Sequence, residues 1–254
     1  MKHHGVTVAQ LMPRRPGPES ELMSSLVQWV ERLGDRSAQP VWAAESLRIG
    51  AGIPDIIVAT YRPELGEIKD SYRSYPNVLG YLRHVSMAQP ATIAARTGMA
   101  LPRVEESVTA LLDAKALHCK GRSVALTPAW RDVLPKTFAI EAKVSNWRTA
   151  LRQACRNRLF VHESYVALPT SVASRASRDP VVMEGAIGVL AIGEGGKVKM
   201  VQRPKRRNPV AWGYYYRLAL AINDHQRRAR DESTDSVCSG DIAGGGDMDV
   251  QARQ

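Results

Sequence analysis

Phe138-Ala-Ile-Glu-Ala-Lys-Val144 is an apolar run carrying two charged side chains, Glu141 and Lys143, two positions apart. Its composition predicts a strand. Successive strand side chains alternate between faces, so Glu141 and Lys143 should project together while Ile140 and Ala142 pack on the other side. Downstream, Trp147 to Phe160 predicts a helix with Leu151, Ala154, Cys155 and Leu159 facing inward, and Ser164 to Leu168 a second strand.

Toward the N-terminus, Leu22, Leu26, Trp29, Val30 and Leu33 recur at helical spacing and stop at Gly34, which predicts an amphipathic helix over 19–33. Val41 to Leu47 and Ile56-Ile-Val-Ala59 read as the two strands of a hairpin around Arg48-Ile-Gly-Ala-Gly-Ile53, with Pro54-Asp55 leading into the second. Between Pro76 and Pro135 the texture changes. Val78 to Val85, Pro90 to Gly98 and Leu101 to Leu117 predict three short helices, the last with Val104, Val108, Leu111 and Leu112 on one face. Ala116 to Leu126 follows as a hairpin turning at Gly121. Near the C-terminus, Ala186 to Ile192 and Lys197 to Val201 predict a hairpin around Gly195-Gly196, and the segment from Asn208 to Arg230 ends in a helix.

With 254 residues and 44% hydrophobic content, the chain has material for one large domain or two smaller ones. No run approaches the roughly 18–20 apolar residues of a membrane span, and the first residues lack the apolar stretch of a signal peptide. A cytoplasmic protein with no membrane partner is therefore expected. Cys119, Cys155 and Cys238 are odd in number and far apart, which argues against a disulfide framework or a zinc site. The six histidines make no ligand-spaced cluster, and His3 with His4 reads as a terminal pair. Formal charge is +10; from Asp231 onward six acids face only Arg253, so residues 1–230 carry +15. Such a body attracts polyanions, nucleic acid foremost.

When the 75–135 segment is set aside, the order is helix, strand, strand entered through Pro54-Asp55, strand bearing Glu141-Ala142-Lys143, helix, strand. This order and these residues resemble the PD-(D/E)XK nuclease superfamily, whose α/β core is an αβββαβ unit with its acids meeting at the centre of the sheet. The resemblance spans about residues 19–61 and 136–201, with Asp55 matching the first metal-binding acid and Glu141 and Lys143 the E-x-K. It implies a restriction-endonuclease-like nuclease domain built discontinuously from residues 19–61 and 136–230, acting on DNA with Mg²⁺ or Mn²⁺. Asp55, Glu141 and the carbonyl of Ala142 would hold the ion, and Lys143 would orient or activate water. The chemistry needs these groups because a phosphodiester's charge repels nucleophiles, whereas a divalent ion held by carboxylates neutralises the oxygens and acidifies water. Oxygen donors suit Mg²⁺, which keeps several of its own waters. Residues 75–135, three helices and a basic hairpin, resemble an inserted winged helix-turn-helix domain, which places Arg103 in the major groove and Lys120 and Arg122 on phosphates. Residues 231–254 read as a disordered acidic tail.

Letters alone carry little, since a chain this long holds a Pro-Asp and an E-x-K by chance about as often as not. A rival, Glu67-Ile68-Lys69, lies twelve residues after Asp55 but has no strand pattern around it. Gln153 matches a glutamine common in the family's next helix; four positions on, where an aromatic is frequent, this chain has Asn157. Arg148, Arg152, Arg156 and Arg158 are a solvated face or backbone contacts. Glu45 either faces Asp55 across the hairpin and adds a ligand to the site or is a surface carboxylate, and Glu19 or Glu21 corresponds to an acid some members carry on the first helix. The Arg203 to Arg207 run, with Lys205 and Arg206, is assigned to phosphates, and Trp212 with Tyr214, Tyr215 and Tyr216 to the core. The alternative is a non-catalytic DNA-binding or regulatory protein on a nuclease scaffold, although burying carboxylates is costly if no cation meets them. A protein partner on the insert and a homodimer cutting both strands are further expectations.

Overall fold

The computed structural model describes residues 6–13, 16–34, 37–69 and 74–238. The chain opens with β1 (Val8–Gln10), α1 (Pro18–Gly34), β2 (Val41–Glu45) and β3 (Ile56–Thr60). A 3-10 turn at Pro63–Glu67 leads toward α2 (Tyr75–His84), α3 (Pro90–Thr97), α4 (Leu101–Asp113), β4 (Leu117–Lys120), β5 (Ser123–Leu126) and α5 (Pro128–Arg131). Then come β6 (Lys136–Ala142), α6 (Trp147–Asn157), β7 (Glu163–Pro169), α7 (Thr170–Ala176), α8 (Pro180–Met183), β8 (Gly188–Ile192), β9 (Val198–Gln202) and α9 (Trp212–Cys238).

The class is mixed α/β. A seven-stranded sheet has the order β1-β2-β3-β6-β7-β8-β9. Strand β3 runs antiparallel to both of its neighbours, β2 and β6, whereas β6, β7 and β8 run parallel. Parallel neighbours need a crossover, which α6 supplies for the first pair and α7 with α8 for the second. Alternation sorts the side chains. Ile56, Val58, Phe138, Ile140 and Ala142 pack with Leu22, Leu26 and Val30 of α1. On the opposite face Ile57, Ala59 and Ala139 meet Tyr215, Tyr216, Leu218 and Ile222 of α9, and α6 and α7 cover Val166, Leu168, Val189 and Ala191.

The segment from α2 to α5 shares that α9 core. Helix α3 stops at Gly98, in left-handed backbone (φ 68°), and α4 starts at Leu101 with a proline in its first turn, so a short turn joins them. Ala88, between α2 and α3, bridges to Val124 of β5 and adds to the β4–β5 hairpin. Tyr215 Oη accepts from the Leu134 N–H and donates to the Leu134 carbonyl, and Tyr216 Oη donates to the Trp130 carbonyl, tying the segment to α9.

Several sequence expectations are corrected. Helix α4 ends at Asp113 rather than Leu117, because Lys115 adopts positive φ (54°) and turns the chain into β4. Cys155 is exposed, not inward-facing; Ala150, Leu151, Ala154 and Asn157 form the buried stripe of α6. Strand β6 ends at Ala142, one residue short of Lys143, although the Lys143 N–H still bonds the Ala167 carbonyl. Helix α9 continues to Cys238, so 231–238 of the expected disordered tail are helical. Arg227 with Asp231 and Arg228 with Glu232 offer i,i+4 opposite-charge spacing there. The rest of that tail, 239–254, and His3 with His4 lie outside the described residues. Strand β1 and helices α7 and α8 were not expected at all. Among the described residues no helix is long and apolar enough to cross a membrane.

Candidate functional site

Register brings the two key carboxylates together. Ile56 pairs with Ile140 across β3 and β6, so continuing the antiparallel ladder by one residue sets Asp55 opposite Glu141, on the face away from α1. Ser46, with φ of 56°, breaks β2, and its N–H bonds the Asp55 carbonyl, holding the Arg48 to Pro54 loop against the strand end. Asp55 Oδ2 accepts the Ala142 N–H at 2.7 Å, so the aspartate is fastened to the residue lying between Glu141 and Lys143. Two sequence-distant segments thereby join at one strand terminus.

Glu141 is 2% exposed. Its Oε1 accepts from Asn157 Nδ2 at 2.7 Å, and its Oε2 is buried with no hydrogen-bond partner. Burial pushes the Glu141 carboxyl up to about 8, with the Asp55 charge adding and Asn157, Lys143 and Arg156 opposing. Asp55 is also raised, by burial first, against the pull of the Ala142 N–H and Lys143, while Glu19 and Glu45 add to the rise. Both shifts favour the protonated form, so in the absence of a neutralising group two negative charges at this strand end are disfavoured.

Lys143 reaches over the strand end to α1, where Nζ donates to Glu19 Oε2 at 3.2 Å; its charge still lowers both Asp55 and Glu141. Of the two α1 acids, Glu19 therefore joins the constellation. Glu45 pairs in register with Ile56 and so lies on the α1 face, not across from Asp55, although its charge is felt there. Gln153 stands one turn before Asn157 on α6, half-buried, with a buried and unpartnered Oε1. Gly52 in the loop leaves room beside this helix end: a Cβ would lie 3.5 Å from Asn157 Oδ1 and 3.8 Å from Arg156 Cδ. The sequence left unassigned the Asn157 bond to Glu141, the Arg156 charge acting on Glu141 and the choice of Glu19 over Glu21. Their signal was spacing along α6 and α1, legible only with Glu141 in place.

Of the rival pair, Glu67 ends the 3-10 turn that packs against α5 and α9 and Lys69 follows it, among none of the groups acting on Asp55. The expected phosphate contacts are scattered. Arg148 and Arg152 are exposed on α6, stacked on Trp147 and bonded to Thr149 respectively. Lys205 and Arg206 are exposed, but Arg206 is bonded to the Pro135 carbonyl. Pro135 precedes β6 and Glu141 lies six residues later, about 20 Å along the strand, so this run is not beside the acids. Arg103 is exposed on α4 together with Glu105, Glu106 and Asp113, whereas Lys120 and Arg122 flank Gly121 at the hairpin tip. Among the described residues no group of three or more His, Cys, Asp or Glu side chains gathers as a metal cage. No protein-family model, curated protein or solved structure matches the chain.

Proposed function

We propose that this protein is a metal-dependent nuclease of the PD-(D/E)XK class, hydrolysing DNA phosphodiester bonds at the Asp55–Glu141–Lys143 cluster. The observation that carries the reading is the Asp55 bond to the Ala142 N–H, which sets the first acid at the centre of the E-x-K. The donor set suits Mg²⁺ or Mn²⁺: two carboxylates, one with a buried unpartnered oxygen, and a backbone carbonyl, with water filling the remaining positions. A bound divalent ion supplies charge for the phosphate oxygens and an acidified water. Asp55, Glu141 and the Ala142 carbonyl hold it. In an extended strand the N–H and C=O of one residue leave the same edge, so that carbonyl emerges on the Asp55 side. Lys143, tethered by its bond to Glu19, orients the attacking water, and Gln153 with Arg156 contacts the scissile strand.

The segment from α2 to β5 has the order of a winged helix, with a bridge at Ala88 completing the small sheet. Its duplex contact is the hairpin tip, where Lys120 and Arg122 are exposed, rather than α4, on which Arg103 is outnumbered by Glu105, Glu106 and Asp113. That acidic face favours a protein partner for α4. A purely DNA-binding scaffold is the weaker reading, because binding alone gives no return for two carboxylates held in a buried setting.

Supercoiled plasmid incubated with protein and Mg²⁺ tests the activity. Wild type should nick or linearise it, EDTA should abolish the cutting, and Glu141→Gln and Lys143→Ala should each slow it by about 10²-fold or more. Binding without metal-dependent cleavage of any duplex, single-stranded or RNA substrate would return the protein to the scaffold reading.

A further inference from the structure

We infer that Asn157 is a positioning residue for Glu141, holding one carboxylate oxygen so that the other is presented to the cation. The inference rests on the nuclease reading but concerns a position where the chain departs from the pattern it resembles, having an amide in place of an aromatic ring. Asn157 closes α6, and its carbonyl accepts from the N–H groups of Phe160 and Val161, so its backbone is anchored on the far side as well. Its side chain is 1% exposed, packed under the sheet face that carries Glu141.

The two oxygens of Glu141 are unequal. Oε1 receives the Asn157 amide at 2.7 Å; Oε2, equally buried, receives nothing. Leaving a buried acceptor unmade is costly, so native structures seldom tolerate it without a reason. An amide donor is well suited here. A lysine or arginine at 157 would neutralise the carboxylate and compete with a cation, and an aromatic ring would leave Oε1 unsatisfied as well. The amide fixes the rotamer while leaving the negative charge to be met by something else. Groups that orient a metal ligand in this way typically change metal affinity or activity 10–100-fold when lost.

Mn²⁺ titration of the full chain, followed by electron paramagnetic resonance of free ion, tests this on wild type, Asn157→Leu, Asn157→Ala and Glu141→Gln. Asn157→Leu keeps the volume without the donor; Asn157→Ala serves if leucine prevents folding, as judged by melting. The expected result is that Glu141→Gln abolishes tight binding, while the Asn157 variants bind Mn²⁺ about 10–100-fold more weakly. Duplex affinity in EDTA and KM for plasmid should stay unchanged, and kcat should fall at limiting Mn²⁺ and recover when Mn²⁺ is raised. Folded Asn157 variants with wild-type Mn²⁺ affinity would overturn the positioning role while leaving the nuclease reading intact. Wild-type protein whose Mn²⁺ binding is absent, or indifferent to Glu141→Gln, would overturn both.

Discussion

Glu141 and His162 are buried titratable side chains whose protonation pulls stability in opposite directions. Glu141 is raised to about 8 in the fold, chiefly by burial, from an ordinary value of 4.5, so the metal-free native state binds its proton more tightly than the unfolded chain. Its contribution to stability is full below about 4.5 and is lost as pH rises through about 8. His162 is lowered to about 4, first by burial and then by Arg206 and Arg83, and its Nδ1 accepts the Thr137 N–H. Its contribution is present above the unfolded value of 6.5 and is lost as pH falls toward 4. Melting temperatures in EDTA should therefore drop between pH 5 and 8 by on the order of 5 °C more in wild type than in Glu141→Gln. His162→Gln should flatten the acid limb below pH 6.5 instead. Parallel curves for a variant and wild type would rule out that assignment. At this scale Asp55, Glu141 and Lys143 could be picked from the sequence by type and pattern. The Asn157 bond to Glu141, the choice of Glu19 over Glu21 and the exposure of Cys155 could not, because each depends on which neighbour a side chain meets.

Helices α2 and α9 show how closely two elements can be fitted. A Cβ on Gly80 would lie 2.9 Å from the Gly213 nitrogen and 3.0 Å from its Cα, so the pair approaches backbone to backbone. Arg83, one turn on, lies over the Trp212 ring at 4.1 Å. Gly80→Ala must push the helices apart, since backbone cannot yield as a flexible side chain would. A destabilisation of about 1–3 kcal/mol is expected by chemical denaturation, even though alanine is the better helix former. Unchanged stability would mean that the two helices are not packed as described. Apolar periodicity and turn residues located most helices and strands of the seven-stranded sheet. Boundaries slipped where a local backbone turn intervened, at Ser46 and Lys115, and β1 escaped notice because three residues are too few to show a period.

At the scale of the whole molecule, the +15 of residues 1–230 is the term that governs a polyanionic partner. If about six phosphates are neutralised, the logarithm of duplex affinity should fall against the logarithm of salt with a slope of about −5. Replacing both Lys120 and Arg122 by alanine should reduce the magnitude of that slope by about 2. A slope unaffected by the pair would remove the hairpin tip from the duplex interface. Such point changes are preferable to excising residues 75–135, which would strip the apolar cover from Tyr215, Tyr216 and Leu218 of α9. By itself the sequence determined the charge, the element types, their order and the residues able to do acid and cation chemistry, because those follow from composition and short-range periodicity. Only the tertiary structure decided that the helical segment shares a core with α9, that the Arg203 to Arg207 run lies a strand length from the acids, and that Asp55 sits against Ala142. Those are outcomes of strand register and side-chain packing, which couple residues across dozens of positions and leave no local signature in the chain.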